Sequence, residues 1–190
     1  AKSLSRDPDN HWFGRMNRKR LDAEALMDTL AVHNNIVKRS ENSAPEWKLA
    51  LSGRMLFTEL SRDKPQTTSD LFDGASPDLL VPARVDSTSA PQALFMLNND
   101  IVLSTATTLA QTAIAQSERR RQRITFLYQH IFGRPSNTLE YKTATEVLRQ
   151  SIEIRQHLTE ADETEMDTTI GPWEDLCMAL LCSNEFLYID

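Results

Sequence analysis

Cysteine is nearly absent from this chain: Cys177 and Cys182 are the only 2 in 190 residues. Five positions apart on a helical stretch, they stand roughly 140° apart around an axis of ~3.6 residues per turn, which argues against a disulfide or a shared metal between them. No Cys-x-x-Cys-His is present, so covalent haem attachment is excluded. His11, His33, His130 and His157 fall at no metal-ligand spacing and are expected at surfaces or caps. No apolar run reaches the roughly 18 residues a spanning helix needs. A basic excess is missing too: 21 Lys and Arg against 27 Asp and Glu leave a net charge of −6, which argues against a general nucleic-acid binder. Phosphate-loop and nucleophile–base motifs are also lacking, and no cofactor or metal is expected in this chain. No secretory signal opens it, and the start, AKSLSRDPDN, reads as a cut into a longer protein.

What is present is helical. The stretch from Ser89 to Gln116 organises the rest. Ser89 and Gln92 have capping-box spacing, and Pro91 suits a first helical turn. Ala93, Leu94, Phe95, Met96 and Leu97 then make a short helix apolar on nearly every side, which belongs in an interior. Asn98, Asn99 and Asp100 interrupt it and cap a second helix with Val102, Ala106, Leu109, Ala110 and Ala113 on one face.

Before this hairpin, His11, Trp12 and Phe13 form an aromatic anchor in a polar, basic segment, and Leu21 to about His33 is amphipathic. Arg15, Arg18, Lys19 and Arg20 have the composition of a solvated face, or of a groove for an anion. Residues 54–61 alternate loosely and are taken as extended. Residues 62–88 form a long connection, in which Pro65, Pro77 and Pro82 disfavour helix and Leu71, Phe72, Leu79, Leu80 and Val81 anchor the chain. After the hairpin, a helix runs from Glu118 to Phe132 and stops at Gly133. Arg119, Arg120, Arg121 and Arg123 crowd its first turns, the wrong end for the helix dipole, and ask for a carboxylate or anion unless they are simply solvated. Asn137 and Glu140 form a second capping box, opening a helix to about Leu158. Thr159 to Thr169 is acidic and read as a mobile loop. A last helix starts at Gly171-Pro172, with Trp173, Leu176, Cys177, Leu180 and Leu181 on one face. Phe186 to Ile189 packs back on the domain. The expected fold is mainly α: about five to six helices, a long irregular loop and little or no sheet. One domain covers 1–190, with a division after residue 88 as the alternative.

The chemically loaded positions are Asp73, Asp78, Arg84, Gln92 and Asn98, in and after the long loop. Loops of this composition are first of all Asx-turns held by an Asp–Arg pair. An Arg84 guanidinium among Asp70, Asp73, Asp78 and Asp86 has the chemistry for that pair. The competing expectation is a pair of loop carboxylates, Asp73 and Asp78, spaced for acid–base work on a glycoside across roughly 5–10 Å.

These segments, in this order, resemble the planctomycete cytochrome-associated domain of unknown function 1553, also called the planctomycete PSD domain. The resemblance rests on the entry Arg15-Met16-Asn17-Arg18-Lys19-Arg20-Leu21-Asp22-Ala23-Glu24-Ala25-Leu26 and on Leu71-Phe72-Asp73-Gly74-Ala75-Ser76-Pro77-Asp78. It rests further on Arg84 to Thr88 leading into Pro91-Gln92-Ala93-Leu94-Phe95-Met96-Leu97-Asn98, on the Gly133-Arg134 turn, and on Ser183-Asn184-Glu185-Phe186-Leu187-Tyr188. The Gly-Gly-Pro turn that commonly follows the first helix is missing, and the proline after Gly-Arg sits one place early. The resemblance implies the C-terminal part of a large exported protein, periplasmic or similar, beside a cytochrome-c-like haem domain. It supplies no catalytic residue. The expected role is therefore a docking or scaffolding module that contacts upstream domains of its parent protein. An enzyme or ligand-binding domain for a polysaccharide-like substrate, and a docking face for the haem domain, are the alternatives.

Overall fold

The computed structural model describes residues 7–35, 54–55, 67–75, 87–161 and 170–189. It is mainly α, as the sequence predicts, with eight helices and one two-stranded ribbon among those residues. Two of the helices are single turns that a periodicity search cannot see.

In chain order, β1 (Lys19–Arg20) leads into α1 (Ala23–His33), and α2 (Thr67–Leu71) stands inside the long connection. The hairpin follows as α3 (Ala90–Asn98) and α4 (Asp100–Gln116). Then come α5 (Arg120–Phe132), α6 (Thr138–Ala161), α7 (Gly171–Leu181), α8 (Asn184–Leu187) and β2 (Tyr188–Ile189). The ribbon is antiparallel, with Lys19 opposite Ile189 and Arg20 opposite Tyr188. The Leu21 N–H extends it by donating to the Leu187 carbonyl at 2.8 Å.

Helix α4 is the centre. It packs most extensively on α7 and also touches α1, α3 and α5. Val102, Ala106, Leu109, Ala110 and Ala113 are all buried on one face, and three alanines there let neighbouring helices approach closely. Thr105, fully buried among them, donates its hydroxyl to the Ile101 carbonyl at 2.6 Å, with the Leu30 carbonyl of α1 at 3.3 Å. Trp173, Leu176, Cys177, Leu180 and Leu181 of α7 complete the core from the other side.

The turns follow their sequence signals. Asn99 caps α4 by accepting the Ile101 N–H. Gly133 ends α5 with φ of 72°, a conformation glycine adopts without cost. Asn137 and Glu140 close a reciprocal capping box: the Asn137 N–H reaches Glu140 Oε2 at 2.7 Å and the Glu140 N–H reaches Asn137 Oδ1 at 2.9 Å.

Several expectations need correction. The connection 62–88 is not structureless, because Thr67–Leu71 forms one helical turn. Helix α6 continues to Ala161, so the acidic loop does not begin at Thr159. Helix α3 is not interior: Leu94 and Leu97 are 58% and 53% exposed, and only Gln92 and Met96 are buried. Its buried side meets α4 and, through Phe95, the ring of Phe72 at 5.2 Å, and one covered side is all that contact provides. Trp12 and Phe13 are not anchors either, being 86% and 88% exposed. The extended segment 54–61 lies outside the described residues beyond Met55.

Candidate functional site

Helix α2 ends in a Schellman motif. The Gly74 N–H bonds the Ser69 carbonyl at 2.7 Å and the Asp73 N–H bonds the Asp70 carbonyl at 3.4 Å. The left-handed position of this motif usually holds glycine, but here it holds Asp73, with φ of 58°. A left-handed residue with a side chain costs of order 1 kcal/mol. Asp73 accepts that strain because its carboxylate has work to do. Gly74 next to it has no room for a side chain, since an added Cβ would lie 1.9 Å from Ser69 Oγ and 2.9 Å from the Ser69 carbonyl oxygen.

The carboxylate of Asp73 meets Arg20, held by β1, and Ser87, just before α3. Arg20 Nη2 donates to Asp73 Oδ2 at 2.7 Å. The Ser87 N–H donates to the same oxygen at 2.8 Å, and the Ser87 hydroxyl lies 2.8 Å from Oδ1. Arg20 is buried and spends its other donors on backbone and amide. Its Nη1 bonds the Ser87 carbonyl and Gln92 Oε1, the latter at 2.8 Å, while Nη2 also reaches the Phe72 carbonyl at 3.3 Å. The guanidinium lies 5.8 Å from the Phe72 ring centre. Only its Nε, buried, lacks a partner among the described residues.

Gln92 completes the cluster. Its Oε1 accepts from Arg20 and from the Ser89 N–H at 3.1 Å, so the capping box and the ion pair share one amide oxygen. Its Nε2 donates to the Leu71 carbonyl at 2.9 Å and to Ser87 Oγ at 3.3 Å. Both donors and both acceptor sites of a buried amide are thereby satisfied. Partial burial pushes the Asp73 carboxyl up, but the Ser87 N–H and hydroxyl and the Arg20 guanidinium outweigh it and hold the group below its ordinary range.

Two of the five sequence-predicted site residues, Asp73 and Gln92, therefore join one cluster, bridged by Arg20 and Ser87. Asn98 does not join them: it is exposed at the end of α3 and its amide donates to the Leu94 carbonyl at 3.0 Å. Asp78 and Arg84 lie outside the described residues. The guanidinium that binds Asp73 belongs to Arg20, which the sequence grouped with its basic neighbours as a solvated face. Nothing in the local composition separates Arg20 from Arg18 or Lys19; the difference is made by the pairing with β2, which turns Arg20 inward and leaves Lys19 out. Ser87 carries no signal in sequence beyond its place in a turn.

A second clamp joins the other end. Arg134, in the turn after α5, forms two bonds to Glu140 at 2.7 and 2.9 Å and two to Glu185 of α8 at 2.6 and 2.7 Å. Its guanidinium lies against the Tyr128 and Phe132 rings. Arg134 holds the Glu140 carboxyl below its ordinary range, with burial opposing and the Asn137 N–H assisting. Both cysteines are free thiols. Burial, with Glu174 assisting, pushes Cys177 well above the range in which it would react, and burial raises Cys182 too.

Among the described residues no group of three or more His, Cys, Asp or Glu is arranged to hold a metal ion. A family model described as "Protein of unknown function (DUF1553)", named PSD1, matches residues 1–148. No curated protein matches this chain. No solved structure matches it either.

Proposed function

The chain belongs to the PSD1 family of proteins of unknown function (DUF1553), and from that premise we propose that it is a structural and docking module of a larger, exported, multidomain protein. One observation carries this reading: apart from the Arg20 Nε, the polar groups of the candidate site are taken up in holding the chain to itself. Arg20, Asp73 and the Ser87–Gln92 stretch come from three separate places in the sequence, and their bonds run between those places. A general acid working near neutral pH needs a carboxyl raised towards that pH. Asp73 is shifted the other way. A lowered, internally bonded carboxylate is suited to fastening the turn after α2 onto β1 and α3.

The docking half of the reading rests on residues 7–17. Asp7 accepts the His11 and Trp12 N–H groups, each at 2.9 Å, and Arg15 donates back to the Asp7 carbonyl at 2.6 Å. Asn10, buried and left-handed, bonds the Arg15 backbone from both ends of its amide. This frame also holds Phe13 left-handed, with φ of 49°, and turns Trp12 and Phe13 outwards. Rigid exposed aromatics are the commonest anchors of protein contacts. The partner in this reading is an upstream domain of the parent protein, with a cytochrome-c-like haem domain as the specific candidate.

The test is a titration calorimetry experiment between this chain and the separately produced upstream part of its parent. Wild type should bind. The double variant Trp12→Ser/Phe13→Ser should keep its melting temperature and lose at least tenfold in affinity. Unchanged affinity in the double variant would overturn the docking assignment.

A further inference from the structure

The arginines crowding the start of α5 remain unexplained by either clamp. Arg121 lies over the Tyr141 ring at 5.6 Å. Arg120 and Arg123 instead line a cleft of about 280 Å³ between α5, α6 and α7, together with Glu118, Leu148, Ile152, Pro172 and Trp173. Leu148, Pro172 and Trp173 are buried and make an apolar floor. Arg123 lies 5.3 Å from the Trp173 ring centre and ties its Nε to the Ser117 carbonyl. That fixes the guanidinium and leaves both Nη groups without an acceptor among the described residues. Arg120, exposed at the rim, has no carboxylate partner among them either.

We propose that this cleft binds a small monocarboxylate with a flat apolar body. A guanidinium recognises a carboxylate through two parallel N–H bonds. Here one such fork is anchored on an indole and a second stands beside it. The lining sums to two guanidinium charges against the single carboxylate of Glu118, which suits one negative charge on the ligand. The lining is polar and apolar in near-equal measure, so the apolar side chains take the ring of the molecule and the arginines fix its orientation. The volume falls just below the ~300–1,000 Å³ found for such sites, so the ligand is no larger than a single-ring acid. A cation in the first turn of a helix is also repelled by the helix dipole, and a bound carboxylate removes that cost.

The probe is 3-phenylpropionate, with 3-phenylpropionamide as its uncharged analogue, titrated into the whole chain and followed through amide and indole N–H resonances. The acid should saturate the residues of α5, α6 and α7 that line the cleft and bind at least tenfold more tightly than the amide. Arg120→Gln, at an exposed position, should abolish that preference without changing the fold, and Arg123→Lys, which keeps charge but loses the fork, should weaken binding severalfold. Absence of saturable binding, equal affinity for acid and amide, saturation at residues remote from the cleft, or an acid preference that survives Arg120→Gln would each overturn the proposal.

Discussion

Arg20 and Asp73 decide how the middle of the chain is fastened. The side chain of Arg20 is 8% exposed and that of Asp73 21% exposed. Removing one partner of a buried pair costs about 3–5 kcal/mol, because the other charge stays behind without compensation. Asp73 keeps some contact with water and all of its Ser87 bonds, so Arg20→Met should fall at the lower end, about 3 kcal/mol in urea unfolding. A midpoint within error of wild type would remove the clamp from the energetics of the fold. Gly74 tests the same turn sterically. The Ser69 hydroxyl can rotate away from an added Cβ, but the Ser69 carbonyl oxygen at 2.9 Å is tied to the Gly74 N–H. Gly74→Ala is expected to destabilise by roughly 1–3 kcal/mol, the usual cost of overpacking.

At the scale of elements, the caps give the cleanest expectation. Asn137→Ala should cost about 1 kcal/mol, since it leaves the Glu140 N–H at the start of α6 without its acceptor; an unchanged melting temperature would contradict the capping role. The long elements were legible because their signals are local. Periodicity located α1, α4, α5 and α7 within about two or three residues, and Gly133 and the Asn137–Glu140 pair marked the boundary between α5 and α6. What was not legible depends on partners distant in sequence. Arg20 differs from Lys19 only because β1 pairs with β2, and no pattern within residues 15–21 contains that information. Leu94 and Leu97 looked interior because composition reports apolarity and not whether another element arrives to cover it. The turn of α2 was hidden for a third reason: five residues give no periodicity, and Asp73 occupies the position where a glycine would have announced the helix end.

For the molecule as a whole, pH should loosen the fold in two steps. His33, at the end of α1, is packed against the His130 ring at 5.0 Å and the Phe186 ring at 6.3 Å, and its buried Nδ1 has no partner among the described residues. Burial, reinforced by His130, pushes its pKa from 6.5 down to about 4. Between those values the unfolded chain takes up a proton that the folded chain refuses. The contribution of His33 is thus fully present above pH ~6.5 and is lost as pH falls towards about 4, amounting to about 3 kcal/mol. Asp73 and Glu140 act lower. Their folded pKa values are depressed, so their contribution is present above the unfolded carboxyl values of ~3.9 and ~4.3 and disappears as pH drops through the folded ones. Melting temperature against pH should fall first from pH 6.5 to 4 and then more steeply. His33→Phe should flatten the first descent and leave the second. A slope unchanged by that variant would place the first step elsewhere.

The ribbon of β1 and β2 also sets an order of events in time. Lys19 cannot meet Ile189 until nearly the whole chain has been gathered in, and contacts of such wide sequence separation are the slowest to close. The helices between them make local contacts and can assemble first. The segment carrying Arg20 should then dock after the rate-limiting step, with a φ-value near zero. Arg20→Met would leave the refolding rate almost untouched and put its whole cost into faster unfolding, about a hundredfold for 3 kcal/mol. In a chevron plot the unfolding arm should rise and the folding arm stay where it is. The ribbon would then act as a latch on a fold already made, setting how long the native state lasts and not how quickly it is reached.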